Sequence, residues 1–350
     1  MVVRVADRIP VLIVAGFLGS GKTTLLNHLL RNNRGTRIGV VVNDFGAINI
    51  DSMLVAGQVD AMVSLGNGCV CCAVDVTELD DLFTRLAQPR ANIDVIVVEA
   101  SGLAEPRNLI RMVVGSDNPR IRYGGLVEVV DAEQFPSSRE RHPELLTHLR
   151  LADLVVVNKA DRVGAAELET LRGEIADLVG TVPVYATTRG RIDPGLLFDE
   201  PLRATRRVAE QLSFDELLAE HDHEHDGDDE HRHLHDDYTS VSFTSERELD
   251  PRRLIDFLED PPPGLFRAKG FAAFGVAAER RKFLLHMVGR HIVFEPGAWR
   301  RGEPRTSRLV LIGAGMPSEP TLSRLRETVH NADDFLDEQA MLGVWRYTPH

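Results

Sequence analysis

Residues 10–200 alternate short apolar runs with amphipathic stretches, the pattern of β-strands that are each followed by a helix. Continuous apolar runs of this kind are typical of strands buried on both faces of a parallel sheet. The predicted strands lie at 11–14, 37–42, 61–65, 93–98, 124–131, 153–157 and 183–187. The pattern therefore predicts an α/β fold with a mostly parallel sheet.

The last third of the chain has a different pattern, in which half-buried strands outnumber helices. Residues 240–244 show the alternation of apolar and polar positions that is typical of a strand with one solvent-facing side. Further strands are predicted at 265–274, 291–295 and 309–312, and helices at 251–258 and 319–329. This order of elements predicts a smaller α+β C-terminal domain.

Between these two regions, residues 220–237 contain almost no apolar side chain and cannot build a core, so we expect a flexible linker. The expected domains are therefore 1–219, a His/Asp-rich linker at 220–238, and 239–350. Six of the 13 histidines lie in this linker, and imidazoles beside carboxylates bind Zn²⁺, Co²⁺ or Ni²⁺. A merely solvated acidic linker is the alternative.

A glycine-rich motif lies near the start of the first domain. Residues 16–24 match the pattern G-x-x-x-x-G-K-[ST] and stand between a predicted strand and a predicted helix, the context of a phosphate-binding P-loop. Glycines let backbone N–H groups converge on a polyphosphate, and the helix N-terminus adds a positive field. We expect Lys22 to reach the β- and γ-phosphates and the Thr23 hydroxyl to bind Mg²⁺. The predicted nucleotide-binding residues here are Gly16, Gly19, Ser20, Gly21, Lys22, Thr23 and Thr24. A glycine-rich turn without a ligand is disfavoured because the flanking elements agree with the motif.

Acidic residues follow two of the predicted strands. Asp44 and Asp51 come after the second strand, where Mg²⁺ ligands and a nucleotide-sensing switch are expected beside a phosphate loop, although an ordinary polar loop is the alternative. The strand at 93–98 runs into Glu99, which predicts an acid facing Mg²⁺ or its waters. Gly102 permits close backbone approach to a γ-phosphate.

The sequence Asn158-Lys159-Ala160-Asp161 follows another predicted strand and has the form N-K-x-D. The carboxylate of Asp161 can accept two hydrogen bonds from the N1–H and N2–H₂ edge of guanine, which adenine does not offer. The methylene stem of Lys159 can cover the base plane. A tetrad of this form is by itself a common surface turn, but downstream of a phosphate loop it predicts guanine recognition.

All three cysteines lie within four residues, as Cys69, Cys71 and Cys72 in a glycine-flanked segment. Three thiolates this close repel one another, and a soft or borderline cation such as Zn²⁺ relieves the repulsion. Three sulfur ligands leave a fourth position open, which suits transfer of the ion better than permanent structure. Buried structural cysteines and redox chemistry are the alternatives, and neither fits three cysteines in one turn.

Composition narrows the function classes. A net charge of −13 argues against nucleic acid or an anionic membrane as the main partner, and no apolar run approaches the length of a membrane span. The N-terminus resembles a signal peptide from Arg4 onwards, but cleavage at the end of its apolar run would destroy the phosphate loop. Clustered cysteines form no disulfide framework, so we expect a cytoplasmic location.

With these motifs in this order, the chain resembles the CobW-like, zinc-regulated GTPase metallochaperones. The matching segments are GFLGSGKTT at 16–24, NDFG at 43–46 with Ile50-Asp51, GCVCC at 68–72, EASGLAEP at 99–106, NKAD at 158–161 and the histidine-rich linker. The resemblance implies a P-loop GTPase domain of the SIMIBI class joined to a CobW C-terminal domain. It also implies GTP hydrolysis that drives insertion or delivery of a metal. Asp44 stands where many members carry Glu.

The expected function is that of a GTPase that delivers a divalent metal, zinc first and cobalt or iron second, to a client metalloprotein. Lys22, Glu99 and Asp44 are the predicted catalytic residues, and the predicted metal ligands are Cys69, Cys71, Cys72, Thr23 and Asp51. A regulatory GTPase with a closed structural zinc site is one alternative. A metal-storage protein that acts through the histidine linker is the other.

Overall fold

A computed structural model of the chain describes residues 8–42, 61–64, 76–102, 105–199, 238–331 and 334–349. These residues fall into two compact units, one on each side of the gap at 200–237. Among the described helices, none has both the length and the apolar character needed to cross a bilayer.

The first unit contains a seven-stranded sheet among its described residues, and every strand pair in it is parallel. The strands are β1 (Ile9–Gly16), β2 (Ile38–Val42), β3 (Ala61–Ser64), β4 (Val95–Glu99), β5 (Ile121–Asp131), β6 (Leu154–Asn158) and β7 (Val184–Ala186). Their order across the sheet is β3-β2-β4-β1-β5-β6-β7, so β1 lies at the centre. The predicted parallel α/β fold is confirmed.

Helices connect these strands because a parallel crossover needs a long connection. They are α1 (Lys22–Arg31), α2 (Val76–Leu86), α3 (Pro106–Val114), α4 (Phe135–Arg141), α5 (Glu144–Leu151), α6 (Ala165–Val179) and α7 (Pro194–Leu197). One core cluster joins β1 and β4 to Phe83 of α2 and Leu109 of α3. A second joins β6 to Leu149 of α5 and Ile175 of α6. The apolar strands and the buried faces of the helices thus form the core of the first unit.

The helices and strands of the second unit are β8 (Thr239–Ser245), α8 (Pro251–Glu259), β9 (Leu265–Ala272), β10 (Lys282–Val288), β11 (His291–Gly297), β12 (Ser307–Gly313), α9 (Ser318–Glu327) and α10 (Leu342–Arg346). Its strands form an antiparallel sheet of order β11-β10-β9-β12-β8. Alternate strand residues share one apolar cluster with Leu254 of α8, Leu325 of α9 and Val344 of α10. The α+β prediction is confirmed, with one strand more than expected.

Strand β10 escaped the sequence prediction for a physical reason. Phe283 and Leu285 point into the core, but Leu284 between them is also apolar although it lies on the half-exposed side. Three consecutive apolar residues hide the alternation that marks a half-buried strand.

Candidate functional site

The phosphate loop lies between the central strand β1 and the start of α1. Gly16 has a φ of 144°, and a Cβ there would stand 2.3 Å from the carbonyl oxygen of Val129. Gly21 has a φ of 103°, and a Cβ there would stand 2.1 Å from Nδ2 of Asn158. Both backbone conformation and space therefore require glycine at these two positions of the predicted motif.

The Lys22 side chain folds back into the loop. Its buried Nζ donates to the carbonyl oxygens of Gly16, at 3.0 Å, and Phe17, at 3.2 Å. An ammonium inside a loop that precedes a helix N-terminus makes this concavity attractive to an anion. Around it, Ser20 is buried, and its Oγ has no hydrogen-bond partner among the described residues. Gly19 is open to its surroundings, and Thr24 is exposed.

Thr23 and Glu99 meet beside this loop, although 76 positions separate them in the sequence. The Thr23 hydroxyl donates to Oε1 of Glu99 at 2.6 Å. The register of β1 with β4 pairs Val14 with Glu99 and so brings the acid to the edge where the loop begins. A hydroxyl and a buried carboxylate are hard oxygen ligands of the kind that Mg²⁺ takes, so these two residues fit the predicted ion.

Gly102 contacts the phosphate loop itself. A Cβ on Gly102 would come within 2.8 Å of the backbone nitrogen of Leu18 and 2.9 Å of its Cα. In the structure this glycine lies against the loop backbone, and the predicted approach of Gly102 to a γ-phosphate stays a prediction.

Asn158 joins the phosphate loop to the segment after β7. Its Nδ2 donates to the carbonyl oxygen of Ser20 at 2.9 Å, and its Oδ1 accepts from the N–H of Gly190 at 2.9 Å. The asparagine of the N-K-x-D tetrad is thus a buried bridge between two loops. Gly190 carries a φ of +64°, and sequence analysis missed it because its partner lies 32 positions away.

Lys159 and Asp161 differ in their surroundings. Lys159 has a φ of 59°, a left-handed backbone that a non-glycine residue adopts only when its neighbours hold it there. Its Nζ lies 2.6 Å from Oδ2 of Asp131, the last residue of β5. Asp161 follows in a short 3₁₀ turn, and its exposed carboxylate makes no hydrogen bond to another described residue. An exposed acceptor of this kind is available to a base.

Glu128 is a buried acid beside the loop that the sequence analysis did not single out. It stands opposite Ala15 of β1, and its Oε2 has no hydrogen-bond partner among the described residues. Burial raises the pKa of Glu128 to about 8; the ammonium of Lys22 opposes the rise, and the carboxylate of Glu105 adds to it. The available signal was an acid inside the otherwise apolar stretch Leu126–Val130.

Several predicted site residues lie outside the described part of the chain. These are Asp44, Asp51, Cys69, Cys71 and Cys72, together with the histidines of the linker. Within the described residues, no group of three or more His, Cys, Asp or Glu side chains is arranged to hold a metal ion. The metal assignments to the cysteines therefore remain predictions.

Two family models match the chain, one within each of its two compact units. The model for the CobW/HypB/UreG nucleotide-binding domain matches residues 10–186, just over half of the chain. The model for the cobalamin synthesis protein CobW C-terminal domain matches residues 238–329. The chain belongs to the CobW family. The family assignment confirms the predicted GTPase, with the nucleotide-binding domain first and the CobW C-terminal domain after it.

Individual CobW relatives resemble the chain over most of its length. The protein described as "Zinc chaperone CobW" from Sinorhizobium sp is 30% identical over 339 residues, covering 87% of this chain and 93% of the relative. The protein described as "Zinc-regulated GTPase metalloprotein activator 1" from Dictyostelium discoideum is 26% identical, covering 77% and 64%. Among solved structures, the Zn(II)-bound YjiA GTPase from E. coli is 23% identical, with a TM-score of 0.43 over 93% of this chain and all of that one.

Proposed function

We propose that this CobW protein is a GTP-hydrolysing metallochaperone that binds Zn²⁺ at Cys69, Cys71 and Cys72 and passes the ion to a client metalloprotein. The names of the relatives support zinc as the cargo and a metalloprotein as the recipient. The proposal makes zinc a substrate that is taken up and released.

The observation that carries the proposal is the sheet edge from which the cysteine segment departs. The cysteines lie between β3, which ends at Ser64, and α2. The strand registers align Ser64 with Val42 of β2, Val42 with Glu99 of β4, and Glu99 with Val14 of β1. Strand β3, which the three thiols follow in the sequence, therefore ends at the same sheet edge as the phosphate loop and Glu99. This shared edge supports coupling between bound nucleotide and bound metal.

The described contacts support the proposed GTP-binding roles. Lys22 holds an ammonium inside the loop concavity, where the β- and γ-phosphates would replace the carbonyl oxygens that it now contacts. Thr23 and Glu99 would hold Mg²⁺, which when bound neutralises charge on the transferring phosphoryl group. Lys159 and Asp161 would read guanine, with Asp161 as the acceptor, and Asn158, the third predicted residue of the tetrad, would hold the tetrad against the phosphate loop. Asp44 and Asp51 remain candidates for the water or the ion.

The cysteine site is tested by the zinc stoichiometry of two proteins. Metal-free parent and the double variant Cys71→Ser/Cys72→Ser are titrated with Zn²⁺ against a chromophoric chelator. We expect one tightly bound ion in the parent and none in the variant, because a hydroxyl does not replace a thiolate as a zinc ligand. GDP binding of the variant is the control for folding. A tight ion that survives both substitutions would place the main site elsewhere and favour storage by the linker.

Delivery is tested by release of the ion. The parent, loaded with Zn²⁺, is mixed with the chelator as an acceptor in the presence of GTP or of a non-hydrolysable analogue. We expect faster transfer during GTP turnover than with the analogue. Equal transfer rates would contradict delivery driven by hydrolysis and leave a regulatory GTPase with a structural zinc.

A further inference from the structure

Asp131 is a buried carboxylate whose two oxygens have separate, well-defined partners. Oδ1 accepts from the backbone N–H groups of Glu133, at 3.0 Å, and Gln134, at 3.2 Å. Oδ2 accepts from Nζ of Lys159 at 2.6 Å. The two amides fix the rotamer of the aspartate before any other group approaches, because both belong to the turn that directly follows β5.

The strand register brings this carboxylate to the N-K-x-D turn. Asp131 pairs with Asn158 across β5 and β6, and the N–H of Ala132 donates to the carbonyl oxygen of Asn158 at 2.9 Å. Lys159 is the next residue, so its side chain begins at the edge where Asp131 ends. The side chain of Asp131 is 10% exposed and that of Lys159 is 23% exposed, so solvent weakens this ion pair less than one on an open surface.

Both ends of the Lys159 side chain are therefore held. The left-handed backbone, with φ 59° and ψ 34°, fixes the Cα end, and Asp131 fixes the ammonium. A free lysine side chain has rotamer entropy, which it loses when a ligand orders it. A lysine that is ordered beforehand does not lose this entropy on binding, and the ligand binds more tightly by that difference.

We propose that Asp131 is a positioning residue for guanine nucleotides, which holds the methylene stem of Lys159 in place as a platform for the base. The inference rests on the proposed role of Lys159 in covering the base plane. Asp131 itself touches neither base nor phosphate in this account and acts only through Lys159. The chemical class of the ligand is a guanine nucleoside di- or triphosphate.

The substitution Asp131→Asn separates the two functions of the carboxylate. The amide oxygen of asparagine can still accept from the N–H groups of Glu133 and Gln134, so the turn after β5 is kept. The amide nitrogen then faces the ammonium of Lys159 and cannot accept from it. Glu133→Gln is the matched control, since it also removes one negative charge near the tetrad. Among the described residues, the carboxylate that it replaces forms an ion pair with the exposed Arg162 alone.

The experiment measures the dissociation constants of GDP and of inorganic tripolyphosphate, both with Mg²⁺. We expect Asp131→Asn to weaken GDP binding about 5- to 20-fold and tripolyphosphate binding less than twofold, because only the base site is loosened. The KM for GTP should rise by the same factor as the GDP constant, with a much smaller change in kcat. Glu133→Gln should bind both ligands as the parent does.

A double-mutant cycle with Lys159→Met tests whether Asp131 acts through this lysine. Methionine keeps an unbranched stem but has no ammonium. We expect Lys159→Met to weaken GDP binding, and Asp131→Asn to add no further loss in that background. Equal GDP binding by Asp131→Asn and the parent overturns the inference, and so does an equal loss of tripolyphosphate binding. If Lys159→Met, which keeps the stem, binds GDP like the parent, the contact of the ammonium with Asp131 does not order the platform and the inference fails, whereas the proposed role of the stem in covering the base is left standing.

Discussion

Glu128 is a buried acid whose Oε2 has no hydrogen-bond partner among the described residues, and this burial affects the stability of the fold. The other residues of β5 are almost all buried and most of them are apolar, so the folded protein favours the neutral acid. The pKa of Glu128 in the folded protein, about 8, exceeds the ordinary glutamate value of 4.5. Between these two pH values the folded chain holds a proton that the unfolded chain has lost. Stability is therefore lost as the pH rises through this window and levels off above it.

We predict that Glu128→Gln removes this pH dependence. Glutamine resembles the protonated acid in shape but cannot ionise, so the variant should gain stability relative to the parent as the pH rises from 5 to 8.5. The gain should reach a few kcal/mol at most, since one unit of pKa shift corresponds to about 1.4 kcal/mol. Urea denaturation of both proteins at several pH values measures it. A constant difference across the whole range would contradict the raised pKa.

Residue types in contiguous motifs could be predicted from the sequence, whereas their partners could not. The functional residues of the loop at 16–24 lie within a few sequence positions of one another, and so do those of the tetrad at 158–161. Three other residues come to the site only through tertiary structure. The pairing of β5 with β1 and β6 places Glu128 and Asp131 there, and the return of the chain after β7 places Gly190. Strand order is a tertiary property that apolar periodicity leaves open.

At the level of elements, the segment after β4 supports the phosphate loop. Gly102 packs on the backbone of Leu18, so this contact links the end of β4 to the loop that follows β1. At this edge β4 ends with Glu99, and β1 continues into the phosphate loop. A shift of one segment must therefore disturb the other.

We predict that Gly102→Ala weakens GDP binding by about tenfold, because the added methyl group would need to occupy space 2.8–2.9 Å from backbone atoms of Leu18. Gly173→Ala in α6 is the matched control, since a Cβ there meets no atom within 4 Å. The control should bind GDP normally and unfold at a slightly higher urea concentration, as alanine favours a helix interior. Unchanged GDP affinity in Gly102→Ala would show that the loop does not depend on this contact.

The elements themselves were largely predictable because the physics of each is local. Buried parallel strands appear as unbroken apolar runs, which located β1, β4 and β6 to within about two residues. The exception, β10, lies in the antiparallel sheet, where a strand is recognised by alternation and Leu284 interrupts it. The short helices α4 and α5 carry little periodic signal, and packing against the sheet decides them.

At the level of the whole molecule, the two family domains leave the histidine-rich segment at 220–237 between their matched regions. If the three cysteines form the tight site, this segment adds only weak binding. We predict that deletion of residues 221–235 lowers the number of weakly bound Zn²⁺ ions but keeps GTPase activity and one tight ion. Equilibrium dialysis of the parent and the deletion variant measures both classes of site. Loss of the tight ion on deletion would transfer the main site to the linker.

We propose that nucleotide and metal binding are coupled across the sheet edge shared by Val14, Val42, Ser64 and Glu99. Loops beside a phosphate site order around γ-phosphate and Mg²⁺ and relax after hydrolysis. A three-thiolate site on a segment that departs from this edge should therefore bind zinc more tightly in the GTP state. Linkage requires that Zn²⁺ tighten binding of a GTP analogue relative to GDP by the same factor.

The most direct test is a competition titration of Zn²⁺ against a chelator with a non-hydrolysable GTP analogue, with GDP and without nucleotide. Typical couplings of about 1–3 kcal/mol predict zinc binding roughly 5- to 150-fold tighter with the analogue than with GDP. The variant Cys71→Ser/Cys72→Ser should lose this difference while still binding nucleotide. Equal zinc affinity of the parent protein in all three states would contradict the coupling and, with it, delivery driven by GTP hydrolysis.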